Sequence, residues 1–204
     1  MTLLMIGLLA LVVAISCWNS YAAGMLRTEL EGTAYNRVLF VCVVIMAMGG
    51  FFQVNIIAFT FLGVIFFPEI VDQAMAELVF KASYVLLAPT IIGTGIIITL
   101  DGYAQTWRKP SALGIGASAW NTYAMYHNVS DAARHLPGAA SDAASGIGAL
   151  FRNKDGAKIA AIAIIFAASA VVSYLMFRVF YNRGRRAREA YIQDFLAQNR
   201  PAAA

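Results

Sequence analysis

Apolar residues run along this chain in long blocks. They do not follow the period of two or 3.6 that marks a half-buried strand or an amphipathic helix. The first block, Thr2–Leu26, contains no charge before Arg27. As a helix of ~24 residues it reaches about 36 Å, enough for a hydrocarbon core of roughly 30 Å. Ser20-Tyr21-Ala22 resembles a signal-peptide cleavage site. A signal peptide also needs a basic segment before its apolar core, and this block has none. The reading is a retained helix that doubles as the insertion signal.

The second block, Val38–Phe67, is uncharged and would reach about 45 Å as a straight helix. That exceeds the bilayer core but is too short for two crossings, which need roughly forty residues. One long span is expected, broken or kinked near Gly49-Gly50 and followed by Gln53 and Asn55. A re-entrant segment is the alternative. A short acidic link with Pro68, Glu69, Asp72 and Glu77 leads to the third block, Leu78–Leu100, with Pro89 as an expected kink. The fourth block runs from Lys158 to Tyr181. Ala163 with Ala167, and Ser169 with Ser173, set small residues four apart, a spacing that suits helix contact in lipid. Gly93 and Gly95 of the third block suit it too.

Residues 101–157 form the one long stretch between blocks. Leu113, Trp120, Tyr123 and His127 recur near helical spacing, and Trp and Tyr favour the membrane interface. One or two interfacial helices are expected, with the Gly-, Ala- and Ser-rich run from Leu136 to Gly148 as a loosely packed turn region. Beyond Tyr181, residues 182–204 form a basic tail. Tyr191, Ile192, Phe195 and Leu196 suggest a short amphipathic helix there. The fold class is therefore an all-α integral membrane protein. It has about four transmembrane helices, three of them within 1–100 and one at 158–181, and an interfacial helical segment between the third and fourth.

Composition agrees: 60% of residues are hydrophobic and 13% charged, and the mean hydropathy is +0.68. A soluble domain has about 25% charged residues. The net charge of +4 is concentrated near the C-terminus, at Arg178, Arg183, Arg185, Arg186 and Arg188. The cluster adjoins an apolar span, so its expected partner is anionic lipid headgroups, not nucleic acid. Four crossings put both termini on one side. The positive-inside count is then close to even, and the local density of arginines assigns that side to the cytoplasm. Ala and Arg usage fits a bacterial inner membrane. Cys17 and Cys42 lie inside apolar blocks without metal-type spacing and read as small buried residues.

Candidate chemistry is sparse. Gln53 and Asn55 are the polar groups deepest in an apolar block. They would either hydrogen-bond between helices or line a conduction path. Glu77 and Lys81 are four apart and suited to pairing on one helix face. His127, Asp131 and His135 share a helix face as a conceivable metal set, although eight residues of helix rise about 12 Å, too far for one ion to take all three. The alternative is a polar stripe. No serine, cysteine or threonine has a visible base partner, no phosphate loop is present, and no cofactor is implied. The expected function is a non-catalytic structural or assembly subunit of a larger membrane complex, of secretion, conjugation or respiratory type, packed on other membrane subunits or on copies of itself. The alternative is a small oligomeric channel or transporter built on the polar middle of the second block.

Overall fold

A computed structural model describes residues 2–26, 34–108 and 110–198. All the regular structure among them is helical. α1 spans Thr2–Leu26, α2 Ala34–Phe66, α3 Gln73–Arg108, α4 Ala112–Arg152 and α5 Gly156–Gln198. α1, α2, α3 and α5 are long and apolar enough to cross a membrane.

α2 is the axis of the bundle and touches α1, α3 and α5, while α4 packs mainly along α3. Two buried clusters fix the directions of the helices. At one level Ala23 of α1 meets Leu39 and Val43 of α2, with Ile98 of α3 and Phe177 and Tyr181 of α5 packed against them. At the other, Ile56 of α2 meets Val79 of α3 and Ile165 of α5. The first level lies toward the arginines of α5, here termed the arginine end. The second lies toward the turn 67–72 between α2 and α3, the turn end. α1, α3 and α5 therefore run from the turn end to the arginine end, and α2 runs the opposite way.

The small residues expected to bring helices together do so selectively. Ser169 and Ser173 of α5 are fully buried, whereas Ala163 and Ala167 are exposed on another face. In α3, Gly95 packs against Met125 of α4, while Gly93 has no neighbour near it. The closest approach was not anticipated from sequence. Gly24 of α1 and Gly184 of α5 lie against each other's helix backbones, at Tyr181 and Tyr21 respectively.

Several expectations are corrected. α2 continues through Gly49-Gly50 without a break, because Gly50 seats against Ser16 of α1 and neighbouring Phe51 is fully buried. Pro89, where a kink is expected, lies inside α3 without ending it and is exposed, which leaves that expectation in place. The turn region expected at Leu136–Gly148 is instead the second half of α4, which passes through Pro137. The Ala and Gly residues there provide a close-packing surface: Ala132 and Ala143 are buried, and Gly146 lies against Leu78 of α3. The basic tail is no separate helix; α5 extends through it to Gln198.

The helix between the third and fourth apolar spans is present as α4, and its course decides the topology. It runs antiparallel to α3 along most of that helix. Near the arginine end, Thr106 Oγ1 and Ser118 Oγ are 3.3 Å apart and Tyr103 OH is 2.8 Å from Thr122 Oγ1. Near the turn end, Lys81 Nζ donates to Asp142 Oδ2 at 2.8 Å. α4 thus carries the chain back to the turn end before α5 begins. The start of α1 and the end of α5 consequently sit at opposite ends of the bundle. The expectation of both termini on one side assumed that the chain does not return between α3 and α5.

Candidate functional site

The register of α4 on α3 sets the uncharged stretch 82–100 of α3 beside roughly residues 123–141 of α4. α4 buries a stripe that includes Ser118, Ala132 and Ala143 against its neighbours. Its remaining face is open and carries Trp120, Tyr123, His127, Asn128, Asp131, Arg134, His135 and Ser141. The sequence segment assigned to the interface is thus held against the apolar part of a membrane-span-like helix.

Under the edge of α4 lies a cleft of about 540 Å³ between α2, α3 and α4. Its floor is apolar, with Ile56, Leu87 and Ile91. Its polar groups are Gln53, Ser83, Tyr84, Asn128 and Asp131. Gln53 and Asp131 both line this cleft, a juxtaposition with no trace in sequence spacing. Asn55 does not join them. Two residues turn a helix by about 200°, so Asn55 faces α5, where its Nδ2 donates to Ser173 Oγ at 2.9 Å. Ser173 Oγ in turn donates to the Ser169 carbonyl at 2.5 Å. The Asn55 amide is a structural bond between α2 and α5, and the two amides do not line a common path.

His127, Asp131 and His135 are all exposed. The His127 ring lies 4.4 Å from the Tyr123 ring and 5.8 Å from that of Tyr126. Among the described residues, no three His, Cys, Asp or Glu side chains gather closely enough to hold a metal ion. The three lie on the exposed face of α4 that also carries Tyr123.

At the turn end the expected Glu77–Lys81 pair forms at 2.7 Å, and Asp142 of α4 completes a three-member cluster. A second clasp joins Asp72 to Lys158 at 2.8 Å. Asp72 also caps α3, accepting from the Met75 N–H at 2.8 Å. The hydrogen bond from Lys158, with that from Met75, holds the Asp72 carboxyl below its ordinary value. A carboxyl lowered in this way adds stability above its unfolded pKa of about 3.9. That stability is lost as pH falls through the lower folded value. With both partners partly solvated, the clasp contributes about 0.2–1 kcal/mol. Detergent unfolding curves should show Asp72→Asn less stable than the parent at pH 7, with the gap closing at pH 3. An equal gap at both values would mean that the carboxylate charge is not involved.

The arginines of α5 are engaged locally. Arg183 stacks over Phe180 at 5.5 Å, Arg188 over Tyr191 at 5.4 Å, and Arg185 Nε lies 3.3 Å from Glu189. Arg186 is exposed. Sequence reasoning missed Arg134, Asn128 and Asp142 as members of these sites, because their significance depends on α4 lying along α3. Compared with protein-family models, with known proteins and with solved structures, the chain matches none.

Proposed function

We propose that this chain is a non-catalytic subunit of a membrane assembly. In this reading α1, α2, α3 and α5 anchor it in the bilayer, and α4 is a polar traverse that meets other polypeptide. The observation that carries the reading is the open face of α4 beside the uncharged stretch of α3. Residues 82–100 of α3 would rise about 28 Å as a helix, one hydrocarbon core. Asp131 lines the cleft with Ile91 and Ile92, near the middle of that stretch. Each charge facing lipid at that depth would cost at least about 2.5–3.5 kcal/mol. Protein or water must therefore cover the face.

Arg186, exposed near the basic end of α5, is available to anionic headgroups. Alanine and arginine usage fits a bacterial inner membrane. A second reading, a small oligomeric channel, is favoured by one specific observation, the cleft shared by Gln53, Asn128 and Asp131. In that case water covers the α4 face.

The test is extraction from the source membrane in mild detergent, followed by native mass. The expected result is a particle well above the 22.0 kDa of one chain, with other polypeptides or several copies. A lone monomer would overturn the subunit reading. A homo-oligomer that conducts ions after reconstitution would establish the channel instead.

A further inference from the structure

We infer that α4 is a self-association helix: a second copy of this chain packs beside it in parallel, with Asp131 of each copy paired to Arg134 of the other. This rests on the reading above and names the partner of the α4 face.

Asp131 and Arg134 are exposed, one helical turn apart, and neither forms an ion pair within the chain among the described residues. In contrast, Lys81, Asp72 and Lys158, at the turn end where water is near, are all paired. The opposite charges are thus unmatched where a match matters most. They are also self-complementary. A two-fold axis along the membrane normal places two copies of α4 side by side and parallel, the same patch meeting itself. An acid and a base one turn apart then form two pairs between copies.

The surrounding pattern fits this geometry. Ala124, His127, Asp131, Arg134, Gly138, Ser141 and Ser145 follow one another at alternating steps of three and four. That spacing puts them on one face of α4, the face on which a parallel copy would lie. A Cβ added at Gly138 would meet nothing within 4 Å, and Ser141 is exposed. Small side chains on the turn-end side of the charges leave room for close approach. α4 is also well placed to receive a neighbour, since it packs mainly on α3.

The test is charge exchange between two differently tagged full-length chains in membranes. Asp131→Arg alone and Arg134→Asp alone should each lose self-capture by tenfold or more, since each homodimer then faces like charges. Expressed together, the two variants should capture each other, because the mixed pair restores both contacts. The double exchange within one chain should self-associate like the parent. Self-capture by both single variants at the parental level would overturn the proposal, as would failure of the mixed pair while each variant stays folded and membrane-inserted. A parallel Gly138→Cys variant in a Cys17→Ala, Cys42→Ala background separates two kinds of failure. Disulfide capture between copies supports self-pairing. A thiol shielded from a membrane-impermeant reagent without such capture overturns self-pairing alone. Full labelling without capture means that water covers the α4 face, and overturns both self-pairing and the subunit reading.

Discussion

Gly184→Val is expected to abolish the stable folded state in detergent, and Gly184→Ala to lower the melting temperature more than any other single alanine substitution in a spanning helix except Gly24→Ala. A Cβ at Gly184 would overlap the Tyr21 carbonyl oxygen, and would lie 2.9 Å from the Tyr21 carbonyl carbon and 3.2 Å from the Met25 nitrogen. The reverse contact is equally tight. A Cβ at Gly24 would overlap the Tyr181 oxygen and lie 2.8 Å from the Arg185 nitrogen. All of these atoms belong to helix backbone, so no rotamer change relieves the clash; α1 and α5 must move apart. Overpacking of a tight contact costs typically 1–3 kcal/mol and sometimes more. Separation would also loosen the cluster of Ala23 with Tyr181 and Phe177. Gly93→Ala is the control. A Cβ there would meet nothing within 4 Å, and alanine is a better helix former than glycine by about 1 kcal/mol. Thermal aggregation curves of the purified variants measure both effects. A Gly184→Ala protein as stable as the parent would mean that α1 and α5 do not approach as described.

A reporter at the start of α1 and another at the end of α5 are expected to lie on opposite sides of the membrane, the second in the cytoplasm. The effect is all-or-none. With α4 returning the chain to the turn end, most basic residues fall at one end or the other, with Arg134 of α4 between them. The arginine end carries Arg37, Arg108, Arg183, Arg185, Arg186 and Arg188, and Arg27 directly follows α1 in sequence. The turn end has Lys81, Arg152, Lys154 and Lys158, and at least two of these are tied to acids. The near-even count obtained when the chain does not return between α3 and α5 becomes a bias when α4 carries it back, and the positive-inside rule then predicts the arginine end in the cytoplasm. Paired reporters that are active only in the cytoplasm or only outside it decide the matter. Both termini on one side would refute the traverse by α4.

Asn55 and Gln53 illustrate the limits of reading a site from one dimension. Their presence in an uncharged block is plain in the sequence, and so is the need for partners. That one amide bonds α5 while the other opens on a cleft shared with α4 follows from helix rotation combined with knowledge of which neighbour lies on which side. The Glu77–Lys81 pair was readable because four residues of helix suffice to make it. Its third member, Asp142, was not, because it arrives from a helix sixty residues further on.

By itself the sequence determined the solvent and the elements. Long uncharged blocks can be satisfied only as helices in lipid, since every backbone polar group is then paired within its own segment. The positions of α1, α2, α3 and α5 follow from that. Only the tertiary structure decided the course of the segment between the third and fourth blocks. Glycine and alanine spell either a loose turn or a close-packed helix, and local pattern cannot choose between them. The choice is made by a neighbouring surface, here α3, whose Leu78, Lys81, Gly95 and Tyr103 meet Gly146, Asp142, Met125 and Thr122 of α4. Those contacts turn an expected interfacial segment into a polar helix running the length of its neighbour, and with it set the direction of α5.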